Sequence, residues 1–193
     1  MDLKKFFAAY EKQQTENFFE VFADNLPRNF AEMQKRGFSF ISCVRYLLKY
    51  PEFVKGNEMA LISLMSSLAQ AVMDKDEGVK SWHLKYLCEA TNLFALVPMR
   101  EFLLSFGANM ENDLAIAEHI EIIARCTIKL KNSTIVRFWK EVVPEWCKSY
   151  PLVIKVVHNE IYIANRMTMS YGNPLPKYRE ELEQQYLKLL SVL

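Results

Sequence analysis

Two helical patterns separated by a short polar turn occupy the middle of this 193-residue chain. Between Asp113 and Lys131, apolar residues recur at three- and four-residue steps, which places them on one side of a helix. A second pattern of this kind runs from Ser133 to Ser149, and Asn132 or Ser133 can cap its first turn. A connection this short forces neighbouring helices to lie antiparallel. The stretch therefore predicts a helical hairpin.

Similar helical patterns cover the rest of the chain, and the glycines mark where they break. All five glycines fall between periodic segments, where helices end. Pro144, by contrast, interrupts a helical pattern, so we expect it to kink that helix or to start a new one. The predicted helices are Asp2–Ala23, Pro27–Lys35, Phe38–Tyr50, Asn57–Asp74, Val79–Leu96, Pro98–Phe106, Asp113–Lys131, Ser133–Ser149, Leu152–Tyr171 and Pro176–Leu190.

These segments predict an all-α protein built of antiparallel helical hairpins. Val44, Leu84, Ile120 and Val157 each lie in the first helix of a predicted pair. They recur about 36 to 40 residues apart, a period typical of two-helix repeat arrays. We therefore predict a short two-helix-repeat α-solenoid, with an irregular helical bundle as the alternative.

The length of the chain suits one domain with a substantial core. In this interpretation residues 1–36 hold an aromatic helix and a short helix, and residues 38–171 hold the hairpins. Residues 176–193 form a last helix that caps the array or docks on another chain. The single all-helical domain then covers residues 1–193.

Composition is that of a folded, nearly neutral protein. Apolar residues make up 51% of the chain and charged residues 24%, which is ordinary for a globular domain. The aromatic share of 13% argues against disorder. With 24 basic and 23 acidic residues the formal net charge is +1, whereas nucleic-acid binders carry a clear basic excess or a basic face. DNA is therefore not expected as a partner, and RNA would need a local basic patch.

The cysteines indicate the compartment. Cys43, Cys88, Cys126 and Cys147 are widely spaced, and each lies inside an apolar helical pattern. We therefore expect buried free thiols in a reducing compartment inside the cell. That compartment is the cytoplasm, or an organelle matrix if a targeting segment has been removed, because no secretory signal is recognisable. No run approaches the ~18 apolar residues of a membrane span.

One helix carries a family resemblance. The segment from Leu84 to Leu96, LKYLCEATNLFAL, resembles the first helix of octotricopeptide-type or FAST-kinase-like helical repeats. The resemblance covers that helix and little of the remaining chain, and the RAP-type domain that often follows such repeats is not visible. It implies two-helix repeats and an association with organellar RNA.

Motifs for catalysis, cofactors and metals are absent from the sequence. His119 and Cys126 are seven residues apart and share a helix face, but two ligands do not make a zinc site. His83 and His158 also lie in helical patterns, and we interpret all three histidines as structural. With glycine confined to turns, a phosphate-binding loop cannot be placed. We therefore expect no enzyme activity, no cofactor and no metal.

Protein binding is the function that remains. Trp139 and Trp146 are candidate partner-binding residues because tryptophan dominates interface hot spots, although core packing also explains them. Phe18 in the aromatic first helix and Leu189 in the apolar end of the last helix are the other candidates. Apolar caps at both ends are typical of a subunit within a larger assembly. We predict a non-catalytic scaffold or accessory protein that binds other protein subunits.

The alternative function is RNA binding within an organellar ribonucleoprotein. Lys129, Lys131, Arg137 and Lys140 cluster around the turn of the central hairpin, where they could meet RNA phosphates. A solvated charged face is the other explanation of this group. A small helical enzyme or metal protein is a remote third hypothesis.

Overall fold

The predicted all-α class is confirmed. The computed structural model describes residues 3–24, 30–54, 58–74, 81–96, 110–148, 150–170 and 177–193, in which every regular element is a helix. The α-helices are α1 (Leu3–Asp24), α2 (Phe30–Lys35), α3 (Phe40–Lys49), α4 (Glu58–Met73), α5 (Ser81–Leu96), α6 (Met110–Thr127), α7 (Ser133–Arg137, Phe138–Val142 and Val143–Cys147 in one run), α8 (Pro151–Ser170) and α9 (Lys177–Leu190). A 3₁₀ turn, Pro51–Val54, follows α3. The predicted helix Pro98–Phe106 lies outside the described residues.

Local chemistry explains where several helices begin and end. Gly37 has a φ of +86°, in the left-handed region that suits glycine. Its N–H donates to the Gln34 carbonyl and that of Phe38 to the Met33 carbonyl, the paired bonds that close a helix such as α2. At the central hairpin, the Asn132 side chain accepts from the Thr134 and Ile135 N–H groups, so Asn132 is the predicted cap of α7.

The central hairpin differs from its predicted bounds at α6. This helix begins at Met110 and ends at Thr127, so the predicted end at Lys131 is wrong. The reason is a tight turn after Thr127, whose carbonyl accepts from the Leu130 N–H at 2.9 Å. Asn132 then starts the next helix.

Pro144 interrupts the hydrogen-bond ladder without breaking α7. The helix widens to a π turn over Phe138–Val142, where the Val143 N–H donates to the Phe138 carbonyl five residues earlier. Proline has no N–H to donate to the Lys140 carbonyl. The expected interruption thus takes the form of a π turn within a continuous helix.

Two side chains of α9 donate hydrogen bonds to backbone carbonyls of the π turn. The Tyr186 hydroxyl donates to the Trp139 carbonyl and the Gln185 amide to the Lys140 carbonyl, both at 2.9 Å. Buried backbone carbonyls require such partners. Helix α9 is thus hydrogen-bonded to the π turn of α7.

Alternate helices pack against each other. Helix α6 has its most extensive contacts with α4 on one side and α8 on the other, and α2 also contacts α4. In the same way α3 packs on α5, α5 on α7 and α7 on α9, while α8 also packs on α9. One cluster of buried apolar residues runs through these contacts from α1 to α9.

The contacts do not follow the predicted repeat register. Val44 and Leu84 lie on α3 and α5, which contact each other, and Ile120 and Val157 lie on α6 and α8, which also do. The register requires α5 to stack on α6. Instead α5 packs on α7, the second helix of the next predicted pair. The described contacts therefore do not confirm the predicted register.

The residues predicted to face inward in the central hairpin are buried or partly buried. The hairpin requires its inward-facing residues from both helices to be buried together. Ile120, Ile123 and Phe138 are buried and belong to the common cluster, and Val142 packs against it.

Asp113 provides a tertiary cap for α8. Although predicted to lie at the start of α6, it sits within the first turn of that helix. Its carboxylate oxygens lie 3.2 and 3.3 Å from the Leu152 N–H, which follows Pro151 in the first turn of α8. The first N–H groups of a helix have no partner inside the helix and favour negative charge.

We expect Asp113→Ala to lower the free energy of unfolding by about 0.5–2 kcal/mol, the usual effect of losing a capping side chain. Urea denaturation monitored by circular dichroism measures this change. Asp113→Asn is the matched control, since it keeps an accepting oxygen and should retain part of the stability. An alanine variant as stable as the parent would contradict the assigned cap.

Candidate functional site

Trp139 is a core residue. Its side chain is 1% exposed, and its indole N–H donates to the Thr127 hydroxyl at 3.1 Å. The Thr127 hydroxyl in turn donates to the Ile123 carbonyl at 2.7 Å. Phe138 packs edge-on against the indole, with ring centroids 4.8 Å apart. The prediction of Trp139 as a partner anchor is corrected here, because all of its surface is used inside the protein.

The other candidate partner-binding residues, Phe18, Leu189 and Trp146, differ in burial or lie outside the described side chains. Phe18 is fully buried against Phe38 and Tyr46, so it too is a core residue rather than an anchor. Leu189 is half-buried and packs against the core. At this end of the chain, Val192 and Leu193 are exposed. The side chain of Trp146 lies outside the described residues.

Carboxylates neutralise half of the predicted RNA-binding group. Arg137 pairs with Glu141 at 2.9 Å, and Lys140 pairs with Glu181 of α9 at 2.6 Å. The hydrogen bond from Lys140 lowers the pKa of Glu181 from its usual value. Lys129 and Lys131 are exposed at the turn. RNA binding stays a prediction, and these ion pairs reduce the positive charge that it would use.

Two grooves flank the exposed ridge of α6. The α4–α6 groove has a volume of about 510 Å³ and is lined by Gln34, Phe40, Ser66, Ser67, Gln70, Ala71, Asp74, His119 and Ile122. The α6–α8 groove has a volume of about 360 Å³ and is lined by Arg125, Ile128, Lys129, Glu160, Ile163, Ala164 and Met167. Both volumes fall in the range of small-ligand and side-chain pockets.

A serine and a histidine meet in the α4–α6 groove. The Ser66 Oγ lies 2.7 Å from the His119 Nδ1. Burial lowers the pKa of His119 below its ordinary value of 6.5, and the nearby Glu118 partly offsets this effect. Ser66 is 3% exposed, and its hydroxyl also donates to the Ser63 carbonyl of its own helix at 3.1 Å. Such a hydroxyl is poorly placed to attack a substrate, so the pair does not make a hydrolytic site.

The α6–α8 groove combines charged and apolar walls. Arg125 reaches both Glu121 and the buried Glu160, the latter at 3.5 Å. Lys129 follows Arg125 by four residues and lies in the turn after the end of α6. The opposite wall belongs to α8, where Ile163, Ala164 and Met167 add apolar side chains beyond Glu160.

Large apolar side chains of α8 are exposed beside this groove. Ile163 is 41% exposed and Met167 is 50% exposed, and both line the groove four residues apart. Tyr162 is 45% exposed, with the Arg166 guanidinium 4.5 Å from its ring centroid. Contiguous exposed apolar side chains beside a groove are typical of interaction surfaces, whereas scattered single ones are not.

The cysteines are free thiols in the described structure. Cys43, Cys88 and Cys147 are buried and Cys126 is half-buried, as predicted for structural thiols. Burial raises the pKa of Cys43 and of Cys147 to about 12, and that of Cys126 to about 11. Thiols in this state are poor nucleophiles and poor metal ligands.

Membrane and metal features are absent from the described part of the chain. None of the helices described has both the length and the apolar character to cross a membrane. Within the same ranges, His, Cys, Asp and Glu side chains do not gather in groups of three or more suited to a metal ion. Comparison with protein-family models, curated proteins and solved structures finds no match for this chain.

Proposed function

We propose that this protein is a non-catalytic scaffold or accessory subunit that binds another protein through the α6–α8 groove. The observation that carries the proposal is the exposure of Ile163 and Met167 along the apolar wall of that groove. Burying the exposed half of each side chain contributes about 1 kcal/mol to association. A flexible methionine also adapts to partners of different shape.

The charges at the groove indicate the chemistry of the partner. Lys129 lines the opposite wall and is exposed, while Arg125 is held by carboxylates. A partner segment that places apolar side chains on Ile163 and Met167 and an acidic side chain near Lys129 would fit both walls. Charge complementarity of this kind favours encounter and register more than raw affinity.

The helical arrangement supports a scaffold role. Contacts connect α4, α6 and α8 in one row and α3, α5, α7 and α9 in another, which supports a short two-row helical array. We propose this arrangement as a two-helix solenoid with a pairing different from the predicted register. Grooves between successive helices of one row then form one extended surface, the usual binding face of such arrays.

Partner capture with matched variants tests the proposal. The double variant Ile163→Gln/Met167→Gln should weaken binding of the captured protein at least about 30-fold, because interface hot spots contribute about 2 kcal/mol or more. Leu114→Gln is the control, since Leu114 is 53% exposed at the other end of α6. Equal capture by parent and double variant would overturn the proposed interface. Capture of RNA alone, lost on nuclease treatment, would replace protein binding with the RNA hypothesis.

A further inference from the structure

We infer that the α4–α6 groove is a binding site for a small cationic group, an alkylammonium or a guanidinium, held between His119 and Asp74. The inference does not depend on the proposed protein interface, which lies across α6 in the other groove. It rests on three features of the groove: the direction of its internal hydrogen bonds, its charge and its apolar wall.

The hydrogen bonds of Ser66 determine which nitrogen of His119 carries the proton. The Ser66 hydroxyl has one proton and lies near two groups, the Ser63 carbonyl and the His119 Nδ1. The Ser66 hydroxyl donates to the Ser63 carbonyl, which uses its single proton. In this arrangement His119 Nδ1 donates to the Ser66 Oγ. The other ring nitrogen, Nε2, is left as an acceptor.

The neutral state of His119 agrees with this arrangement. Burial lowers its pKa, so the imidazole carries a single proton at neutral pH. That proton is already used in the bond to Ser66. The ring therefore offers a ligand a lone pair rather than a positive charge.

Asp74 supplies a second acceptor in the same groove. The Gln70 amide donates to Asp74 Oδ1 at 2.7 Å, which restrains the carboxylate. A carboxylate has about four acceptor positions, so this bond leaves capacity for a ligand. Among the described lining residues, the charged side chain is that of Asp74 alone. Its carboxylate would attract a cation.

The remaining wall suits the carbon part of such a ligand. Phe40, Ala71 and Ile122 also line the groove and present apolar surface. A side chain of phenylalanine can also attract a cation through its ring face. An amine on a short alkyl chain, or a planar guanidinium, matches a site with acceptors and an apolar wall.

The source of the cation is either a free amine or a lysine or arginine side chain of a bound protein. Both present the same chemical group, so the first probe is n-butylammonium chloride. Titration is followed by the nuclear magnetic resonance signal of the His119 Cε1 proton at constant ionic strength. We expect a saturable shift with n-butylammonium and no such shift with n-butanol, which has the same chain without the charge.

Two charge-neutralising variants make the test specific. Asp74→Asn should weaken n-butylammonium binding about tenfold or more, a loss equivalent to about 1.4 kcal/mol. Glu118→Gln is the matched control: it removes a carboxylate close to His119 that does not line the groove, and should change affinity less than about threefold. Asp74 is exposed, so its substitution is expected to leave the fold intact. An amide spectrum of the variant checks this directly.

Two further probes distinguish the sources. Tighter binding of spermidine than of N-acetyl-lysine methylamide would assign the site to free amines, and the reverse order would assign it to a side chain of a partner. The inference is overturned if n-butylammonium gives no saturable shift. It is equally overturned if Asp74→Asn binds as tightly as the parent.

Discussion

Replacing Trp139 by alanine is expected to lower the free energy of unfolding by about 3–5 kcal/mol. Trp139 is among the largest fully buried side chains, and it packs within the common apolar cluster. The substitution leaves a cavity and also removes the donor to the Thr127 hydroxyl. Since small domains are stable by about 5–15 kcal/mol in total, this loss is a large share.

Urea denaturation followed by circular dichroism measures the change. Two further variants separate the effect of the lost hydrogen bond from the effect of the cavity. Trp139→Phe keeps much of the volume but removes the indole donor. Thr127→Val removes the acceptor and keeps the shape. We expect each to lose less than Trp139→Ala, because cavity formation makes the larger contribution. A loss below about 1 kcal/mol for Trp139→Ala would place this side chain outside the core, contrary to the structure.

Replacing Tyr186 by phenylalanine is expected to lower the free energy of unfolding by about 1–3 kcal/mol. The ring is fully buried, and its hydroxyl is the donor to the Trp139 carbonyl in the π turn. Phenylalanine fills the same space and leaves that carbonyl buried without this donor. The effect therefore reports one hydrogen bond rather than a change in packing.

A double-mutant cycle with Pro144→Ala tests the physical cause. Alanine restores an N–H at position 144. This allows α7 to return to α register, in which the Val143 N–H donates to the Trp139 carbonyl. The carbonyl then gains a backbone partner, so Tyr186→Phe should be less destabilising in the Pro144→Ala background. The same loss in both backgrounds would contradict this account of the π turn.

The spacing of apolar residues was sufficient to predict much of the fold. It predicted the all-α class and the helix start at Asn132, because both depend on interactions between residues close in sequence. It did not show which helix packs on which, and the predicted register through Leu84 is not confirmed for that reason. Apolar periodicity defines the buried face of a helix but not the neighbour that covers it.

The candidate site was harder to predict because its residues are distant in sequence. Ser66 and His119 are 53 positions apart, and Lys140 and Glu181 are 41 positions apart. A spacing rule detects neither pair. Trp139 was hard to assign for another reason. A tryptophan suits both a core and an interface, and only its burial in the structure distinguishes the two roles. Pro144 did carry a local signal, since a proline within a helical pattern removes a known donor.

Alkylation of the buried thiols can measure local unfolding of this protein without any introduced label. Alkylating reagents attack thiolates, and burial keeps Cys43 and Cys147 protonated at neutral pH. Each can then react only when the helices around it separate. Cys43 lies on α3 and Cys147 at the end of α7, so one mass-spectrometric time course follows two distant parts of the core. Equal alkylation rates would reveal a single cooperative unit, whereas unequal rates would reveal an array that opens from one end.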